Sequence, residues 1–315
     1  MKSTELKIPV AGVSPLFETF EALGDGWTFL ILRESFFGAR RFEQFRTNTG
    51  ITRSRLAERL AALVRKDIFQ KLQYNAKPPR YEYRLSEAGH DIYGMTLLMK
   101  RWGDVWRADE PKPSLDLVHK TCGRHLVPNY VCQHCKVKIV SGEVELRNPA
   151  LPGLAKPNFA KLRRLSRQTF RQAGRNDSVA RTLEVIGDHW TMALISETTM
   201  YDTNTYAEFI ARLGISKQTL SSRLRHLVAE GIIERKAYQV RPVRHAYLLT
   251  EAGKDLLDIF CVMFSWGRKW RCQQLENTSG LFHRTCGTEL TGSVTCAACN
   301  TGIHSHDVVY ERQLT

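Results

Sequence analysis

Residues 50–63 read Gly-Ile-Thr-Arg-Ser-Arg-Leu-Ala-Glu-Arg-Leu-Ala-Ala-Leu. The leucines of this stretch recur at four- and three-residue steps, which places them on one face of a helix. Gly50 interrupts the preceding apolar segment, and Thr52 is a residue type that caps helix N-termini. The stretch therefore predicts the turn and the second helix of a helix-turn-helix. The three inward-facing leucines are Leu56, Leu60 and Leu63.

The chain carries a second copy of this stretch at residues 214–227, which read Gly-Ile-Ser-Lys-Gln-Thr-Leu-Ser-Ser-Arg-Leu-Arg-His-Leu. The duplication extends further, because Phe42 and Tyr206 are 164 positions apart and so are His119 and His283. A repeat of this length is a domain duplication rather than a solenoid, whose period is roughly 20–50 residues. Features that occur in both copies are therefore the ones that the module needs to fold or to act.

Each copy continues from the helix-turn-helix into a β-hairpin and a long helix. Residues 81–85 alternate as a strand should, after a tip that reads Lys-Pro-Pro-Arg, and residues 241–244 form the matching tip in copy two. Ser86 and Thr250 are predicted to cap the long helices that follow. Those helices carry the apolar residues Trp102, Trp106, Trp266 and Trp270.

These elements predict a mainly α fold with small β-hairpin wings, an α+β class, in which two winged helix-turn-helix domains are each followed by a zinc-ribbon-like lobe. The expected boundaries are 13–108 and 177–272 for the winged domains, 115–147 and 279–311 for the lobes, and 148–176 for a linker. Within the linker, residues 159–171 are predicted to form a basic amphipathic helix, either solvated or in contact with DNA.

Bulk composition narrows the class of partner. The 315 residues carry a formal charge of +14, with a pI of about 9.5. A strongly basic chain attracts polyanions, so nucleic acid is favoured over a merely basic solvated surface. The sequence contains no run of about 18 apolar residues, so we expect no membrane span. Residues 1–20 lack the apolar centre of a secretory signal. We therefore expect a cytoplasmic, nucleoid-associated protein with no membrane partner.

Six of the eight cysteines lie in two clusters that share the spacing His-x2-Cys-x9-Cys-x2-Cys. Three thiolates and an imidazole fill the tetrahedral shell of structural Zn²⁺ and leave no position for an activated water. The alternatives are redox thiols, a disulfide pair or unrelated buried cysteines. We predict two structural zinc ions per chain, each held within one copy, whose role is bracing the wings, dimerisation or ligand sensing. The ligands are His119, Cys122, Cys132 and Cys135 in copy one and His283, Cys286, Cys296 and Cys299 in copy two.

Contacts with double-stranded DNA are expected on the outward side of the second helix, because a major groove about 12 Å wide admits one helix. Arginine there reads guanine or holds phosphate, and basic wing tips suit phosphate or the minor groove. Any single arginine is equally a solvated surface residue, but the set recurs in register. The predicted DNA-binding residues are Arg40, Arg41, Thr52, Arg53, Arg55, Arg59, Lys77 and Arg80 in copy one and Ser216, Lys217, Gln218, Ser221, Arg225, Arg241 and Arg244 in copy two.

Short motifs outside the helix-turn-helix also recur. Residues 23–28 read Leu-Gly-Asp-Gly-Trp-Thr and residues 186–191 read Ile-Gly-Asp-His-Trp-Thr, while Leu-Ser-Glu-Ala-Gly at 85–89 returns as Leu-Thr-Glu-Ala-Gly at 249–253. Together with Pro-Pro-Arg-Tyr-Glu-Tyr at 78–83, these motifs resemble the HxlR-type winged helix-turn-helix transcriptional regulators. The resemblance spans about residues 14–107 and 177–271. It implies DNA binding by a homodimer, in which each protomer supplies one recognition helix and the terminal helices form the interface.

Two departures from that family matter. Many members carry a redox-sensing cysteine just before the first helix, whereas the aligned positions here are Ser14 and Asp177, so we expect no such switch. The basic Gly-Ala-Arg-Arg entry at 38–41 becomes Asp-Thr-Asn-Thr at 202–205, which predicts a weaker phosphate grip in copy two.

The duplication suggests that one chain folds as a pseudo-dimer whose recognition helices lie about one DNA turn, roughly 34 Å, apart. Their different side chains predict an operator with unequal half-sites. A homodimer of tandem chains is the alternative assembly, and a small-molecule effector stays unspecified. A protein- or RNA-interaction module without sequence-specific DNA binding is the alternative function. No enzyme is expected, because the HExxH, P-loop and G-x-S-x-G motifs are absent.

Overall fold

The structure, a computed structural model, describes residues 14–23, 26–108, 115–147, 178–273 and 279–311. The predicted linker at 148–176, with its basic helix, lies outside these residues. Copy one contains α1 (Pro15–Leu23), α2 (Gly26–Phe36), α3 (Phe42–Thr49), α4 (Arg53–Arg65), β1 (Phe69–Asn75), β2 (Arg80–Leu85), α5 (Glu87–His90) and α6 (Tyr93–Trp106). Copy two repeats this order in α7 (Ser178–Ile186), α8 (His189–Met200), α9 (Tyr206–Leu213), α10 (Lys217–Ala229), β7 (Ile233–Val240), β8 (Val243–Leu249), α11 (Glu251–Lys254) and α12 (Leu257–Arg271).

The helix-turn-helix predicted from the sequence is present in both copies. Helix α3 ends at a glycine, Gly50, whose φ of 70° lies in the left-handed region and whose N–H donates to the carbonyl of Arg46 at 2.9 Å. Gly214 ends α9 in the same way, with a φ of 61°. The leucines of α4 and α10 are buried, as the periodicity predicts, so each second helix turns its polar side outward.

Two details of helix capping differ from the sequence expectation. Thr52 occupies the N-cap of α4, but its side chain makes no capping hydrogen bond, whereas Ser216 accepts one from the backbone N–H of Thr219 at 3.2 Å. Ser86 and Thr250 do cap helices, but these are the four-residue helices α5 and α11. The long helices α6 and α12 begin separately, because the chain turns once before each of them.

The wings are antiparallel hairpins that leave each helix-turn-helix. In copy one β1 pairs with β2, with Phe69 opposite Leu85, and in copy two β7 pairs with β8, with Ile233 opposite Leu249. Each pairing contains one irregularity, between Gln73 and Asn75 in the first wing. Each hairpin is buried where it joins the domain and exposed toward its tip, where the basic residues lie.

The two Cys/His segments form shared sheets rather than one sheet per copy. Their strands are β3 (Asp116–His119), β4 (Arg124–His125), β5 (Pro128–Cys132), β6 (Val144–Arg147), β9 (Gly280–His283), β10 (Gly292–Cys296) and β11 (Val308–Glu311). Three antiparallel pairs join copy one to copy two: β3 with β11, β5 with β10 and β6 with β9. The expectation of a lobe gathered within each copy is therefore corrected, because each segment completes its pairing with strands of the other.

The winged domains also exchange contacts. Helix α1 packs along α12 of the other copy, and α7 packs along α6. The Thr19 hydroxyl donates to the carbonyl of Met263 at 2.7 Å, and the Thr182 hydroxyl donates to the carbonyl of Met99 at the same distance. One hydrophobic core consequently contains buried residues of both copies.

The tryptophans predicted on the long helices reinforce this interface. Trp102 Nε1 donates to the carbonyl of Ala252 at 2.9 Å, and Trp266 Nε1 donates to the carbonyl of Ala88 at 2.8 Å. Each long helix therefore fastens to the short helix that follows the wing of the opposite copy. The repeated contacts give the chain an internal two-fold arrangement.

Candidate nucleic-acid interface and metal centres

The outward face of α4 carries the residues predicted to meet DNA in copy one. Thr52, Arg53 and Arg55 are exposed. Arg53 is held toward α3, because its Nη1 lies 3.2 Å from a carboxylate oxygen of Glu43 and its guanidinium lies 5.4 Å from the ring centre of Phe42. Arg55 has no ion-pair partner among the described residues, which leaves its guanidinium the most available on this face.

Copy two presents a less basic set on the same face of α10. Ser216, Lys217, Gln218 and Arg225 are exposed. The wing residues of both copies are exposed as well, as predicted from their position at the tips. These wing residues are Lys77, Arg80, Arg241 and Arg244.

Two of the predicted DNA contacts are partly covered. The Arg59 side chain is only 20% exposed and lies 3.2 Å from the carboxylate of Glu58. Its counterpart Arg223 turns inward, where its Nε donates to the buried carboxylate of Asp188 at 3.1 Å. Ser221 is half-buried, with its hydroxyl 3.0 Å from that of Tyr206. Arg59 and Ser221 therefore pack against neighbouring residues and are less available to DNA than the exposed residues of the same helices.

The entry to the first helix of the motif differs in charge between the copies. In copy one the side-chain oxygen of Gln44 accepts hydrogen bonds from the backbone N–H groups of Arg40 at 3.0 Å and Arg41 at 2.9 Å. Both arginine side chains are exposed. The neutral amide thus caps α3 while two guanidinium groups remain at its start, which favours an anionic partner.

Copy two uses a carboxylate for the same capping task. Glu208 accepts from the backbone N–H groups of Thr205 at 2.9 Å and Asn204 at 3.2 Å, and the bond from Thr205 is the largest cause that lowers its pKa. Across the helix-turn-helix and wing, residues 38–85 carry 12 basic and 4 acidic residues, a net +8, whereas residues 202–249 carry 8 and 4, a net +4. The expected weaker basic character of copy two is thus present in the folded protein.

The Cys/His residues gather into two groups, and the groups cross the copies. His119 and Cys122 meet Cys296 and Cys299, while Cys132 and Cys135 meet His283 and Cys286. All eight predicted ligands are used, but the expectation that each copy completes its own site is wrong. The strand pairs β3–β11, β5–β10 and β6–β9 cause this, because they place the His-x2-Cys pair of one copy beside the Cys-x2-Cys pair of the other.

The spacing of the ligand atoms fits a tetrahedral ion. In the first group His119 Nδ1 lies 3.5 Å from Cys122 Sγ and 3.4 Å from Cys299 Sγ, and Cys122 Sγ lies 3.9 Å from Cys296 Sγ. Zinc with bonds of about 2.3 Å to sulfur and about 2.0 Å to nitrogen would separate its ligands by roughly 3.5–3.8 Å. Disulfides are not the explanation for these clusters, since every cysteine they contain is free.

The second group has the same geometry. His283 Nδ1 lies 3.4 Å from Cys286 Sγ and 3.3 Å from Cys135 Sγ, and Cys132 Sγ lies 3.9 Å from Cys286 Sγ. The other ring nitrogen, Nε2, lies 3.7 Å from a carboxylate oxygen of Glu143. This distance exceeds that of a hydrogen bond, so the carboxylate lies near the ring without bonding to it.

Tight turns bring the ligand pairs together. Gly123 and Gly287 have φ values of 65° and 69°, and each donates its N–H to the carbonyl of the preceding histidine ligand at 2.8 Å. Hydroxyl groups also activate two thiols: Thr288 lowers the pKa of Cys286 to about 6, and Thr301 lowers that of Cys299 to about 6. A lower thiol pKa favours the thiolate, which is the form that binds a metal.

Several residues near these centres were not among those predicted from the sequence. Thr288 and Thr301 each follow a cysteine by two positions, and this Cys-x-Thr pattern occurs only in the copy-two segment. The pattern was a usable signal for an activated thiol. Glu143 offered no comparable signal, because its position depends on the pairing of β6 with β9 across the copies.

Comparison with known proteins identifies the family of the two winged domains. The model of the HxlR-like helix-turn-helix family matches residues 22–111 and 185–275, which together make up more than half of the chain. The chain belongs to the HxlR-like helix-turn-helix family. This family consists of transcriptional regulators rather than enzymes, so the chain is a tandem HxlR-like, DNA-binding transcriptional regulator.

Several relatives match part of this HxlR-like chain. An uncharacterized HTH-type transcriptional regulator of Mycobacterium tuberculosis (strain ATCC 25618 / H37Rv) is 43% identical over 124 residues, 39% of this chain and 78% of the relative. The HTH-type regulator YtcD of Bacillus subtilis (strain 168) is 34% identical over 92 residues, 29% of this chain and 73% of the relative. A solved structure described as a candidate transcription factor from Pseudomonas aeruginosa is 28% identical, covering 40% of this chain and 85% of its own, with a TM-score of 0.31.

Two further observations concern this HxlR-like chain as a whole. Among the described residues, no helix combines the length and apolar character that crossing a membrane requires. Ser14, where the family resemblance led us to expect no sensing cysteine, is buried at the start of α1. The aligned position 177 lies outside the described residues.

Proposed function

We propose that one chain acts as a complete pseudo-dimer on a single duplex DNA site in the cytoplasm, at the nucleoid. The observation that carries this proposal is the reciprocal fastening of the copies, in which Trp102 reaches Ala252 and Trp266 reaches Ala88. In this arrangement each copy supplies the dimer interface of the other, and α4 and α10 serve as the two recognition helices. We retain the expected boundaries of the two winged domains, 13–108 and 177–272, as part of this proposal, and treat the two Cys/His segments as one shared lobe.

The two half-sites of the operator are unequal in this proposal. The support is chemical, because α4 exposes Arg53 and Arg55 where α10 exposes Lys217 and Gln218. Arginine pairs best with guanine, whereas glutamine pairs best with adenine, so different bases satisfy the two helices. The net +8 segment of copy one also holds phosphate more strongly than the net +4 segment of copy two.

Two structural zinc ions per chain complete the proposed molecule. The support is the ligand set and its spacing, with three thiols and one imidazole in each group and sulfur–sulfur separations of 3.9 Å. Because each group joins both copies, the ions would hold the winged domains in one relative position. That role is bracing within a pseudo-dimer rather than association between chains.

Binding-site selection with the whole chain, followed by footprinting and native mass spectrometry of the complex, tests the DNA proposal. We expect one chain per site, two protected segments about 34 Å apart, and different base preferences in the two. Arg55→Gln should weaken binding about tenfold or more and relax the preference at one base pair only. Arg65→Gln, which removes an exposed charge in the last turn of the same helix, is the matched control.

Four outcomes of these experiments would contradict parts of the DNA proposal. A palindromic site with equal protection of both halves would contradict unequal half-sites, and two chains per site would favour the homodimer of tandem chains. Failure to bind any duplex at low salt would favour the protein- or RNA-interaction module instead. Equal losses from Arg55→Gln and Arg65→Gln would remove α4 from its role in reading bases.

A further inference from the structure

A cleft of about 1060 Å³ lies between the first winged domain and the second half of the chain. Its volume is at the upper end of the range for small-molecule sites, about 300–1000 Å³. Its walls come from α2 and α6 on one side and from α12, β5 and β10 on the other. Aromatic residues form much of the apolar lining: Phe36, Tyr93, Tyr130 and Trp266.

The duplication supplies an internal comparison for this cleft. At the equivalent place in the other half, Arg101 of α6 contacts two carboxylates. Its Nη1 lies 2.8 Å from Asp258 in α12, and its Nη2 lies 3.0 Å from Asp255, which follows α11. The counterparts of Arg101 and Asp258, 164 positions away, are Ser265 and Gly94. A buried ion pair in one half is thus replaced by a hydroxyl and a hydrogen in the half that contains the cleft.

The replacement leaves polar groups at the wall of the cleft. The hydroxyl groups of Tyr130 and Ser265 lie 3.3 Å apart, and Tyr130 is almost completely buried. Asp91, the counterpart of Asp255, has no arginine opposite it and instead lies 2.6 Å from Lys269 Nζ. The ion pair that fills the other half therefore has no equivalent here.

The charged lining favours an anion. Three cationic and two anionic side chains line the cleft. Arg268 pairs with Glu289 and Lys269 pairs with Asp91, and the third cation is Arg40. Cationic groups exceed anionic groups by one, and the excess belongs to Arg40. Three imidazoles complete the titratable lining beside the two tyrosines: His90, His304 and His306.

We propose that this cleft binds a small aromatic carboxylate. Its ring would lie among the four aromatic walls, and its carboxylate would face the arginines, which bind such groups through paired N–H donors. The site would also influence DNA, because Arg40 belongs both to the cleft and to the basic entry of α3. A carboxylate that holds Arg40 competes with phosphate, so the ligand weakens DNA binding, a consequence that rests on the proposed function.

Titration of the whole chain with benzoate, 4-hydroxybenzoate and indole-3-acetate tests the site, with calorimetry and tryptophan fluorescence as readouts. We expect saturable binding of one molecule per chain with a Kd of about 1 mM or tighter for at least one of them, which is a reasonable affinity for ligands of this size. Benzamide and acetate, which lack the charge or the ring, should bind at least tenfold more weakly. Absence of saturation by all three acids, or equal binding of benzamide, would overturn the proposal.

Variants locate the site and separate it from DNA binding. Ser265→Arg installs the residue of the equivalent position and should abolish binding, and Arg268→Gln, which leaves the cleft open, should weaken it about three- to tenfold. Lys254→Gln, which removes an exposed charge at the counterpart of His90, should have no effect. Unchanged binding in both cleft variants would overturn the site.

A DNA measurement decides the coupling separately. Saturating ligand should raise the Kd for duplex DNA several-fold in the natural chain, and by less in Arg40→Gln. Ligand binding without any change in DNA affinity would overturn the coupling through Arg40 and leave the site intact. A chain that binds the acid but no duplex would contradict the proposed function alone.

Discussion

The Nδ1 atom of His119 lies 3.4 Å from the Sγ atom of Cys299, although the two residues are 180 positions apart. A metal ion between them would have to bind ligands from both copies at once. The same is true of His283 and Cys135, whose ligand atoms are 3.3 Å apart. A metal ion bound in this way would link the folding of the two segments to the relative position of the winged domains.

The crossed grouping predicts the zinc content of double variants. Cys122→Ser with Cys299→Ser removes two ligands of one group, so the chain should fall from about two zinc ions to about one. Cys122→Ser with Cys132→Ser removes one ligand from each group, so most of both ions should be lost. Elemental analysis of the purified proteins after dialysis measures the difference.

If each copy completed its own metal site, the zinc contents of the two double variants would be reversed, so the comparison distinguishes the two groupings. In that case Cys122→Ser with Cys132→Ser would retain one ion, and Cys122→Ser with Cys299→Ser would lose both. Cys261→Ala is a suitable control, because this buried cysteine of α12 belongs to neither group and should leave the zinc content unchanged.

The sequence predicts the helix-turn-helix well because its determinants are local. Leu56, Leu60 and Leu63 define one helix face, and Gly50 supplies the left-handed residue that ends the preceding helix. The eight Cys/His residues that gather into the two groups were also identified from the sequence. Their grouping was not, because two segments with identical spacing can complete a tetrahedral shell within or across copies, and spacing does not distinguish these choices.

Predictions about single side chains were less secure for a related reason. Helical periodicity places Arg59 on the polar side of α4, yet its side chain is mostly covered. The counterpart Arg223 also turns inward, where its Nε donates to the buried carboxylate of Asp188 before α8. Asp188 lies outside the helix-turn-helix, so no pattern within residues 214–227 reveals this contact.

Substitution of the glycines at the helix crossings should destabilise the chain strongly. A Cβ atom on Gly267 would lie 1.9 Å from the carbonyl oxygen of Pro15, and one on Gly103 would lie 2.0 Å from that of Ser178. Relief requires the backbones of two packed helices to separate. We expect Gly267→Ala and Gly103→Ala each to lower the free energy of unfolding by about 2–4 kcal/mol, measured by urea denaturation.

Gly302→Ala provides the control for these substitutions. Its Cβ would meet no atom within 4 Å, and its backbone is outside the left-handed region. Its effect should stay within about 0.5 kcal/mol, as for ordinary surface substitutions. If the crossing variants were no less stable than Gly302→Ala, the close approach of the helices would be contradicted.

The capping carboxylate of copy two should give the protein a measurable acid dependence. Backbone N–H groups, first that of Thr205, lower the pKa of Glu208 below its ordinary value of 4.5. Its stabilisation is therefore present above that value and is lost as the pH falls through the lower folded value. Thermal melts from neutral to acid pH should show a smaller acid loss for Glu208→Gln than for the natural chain. Equal losses in the two proteins would contradict the role of this carboxylate.

The first helix of the motif begins with a more basic segment in copy one than in copy two, and this difference should affect DNA affinity. Exchanging the capping residues of the two copies tests it. Glu208→Gln gives copy two the cap of copy one, and the amide oxygen can accept the same two backbone hydrogen bonds. Removing a negative charge beside phosphate should raise duplex affinity about two- to fivefold at low salt, and the gain should shrink as salt is added. Gln44→Glu should lower affinity by a similar factor in copy one. If Glu208→Gln changed nothing at low salt while Gln44→Glu weakened binding, copy two would not face the phosphate backbone, and the pseudo-dimer proposal would lose one of its recognition helices.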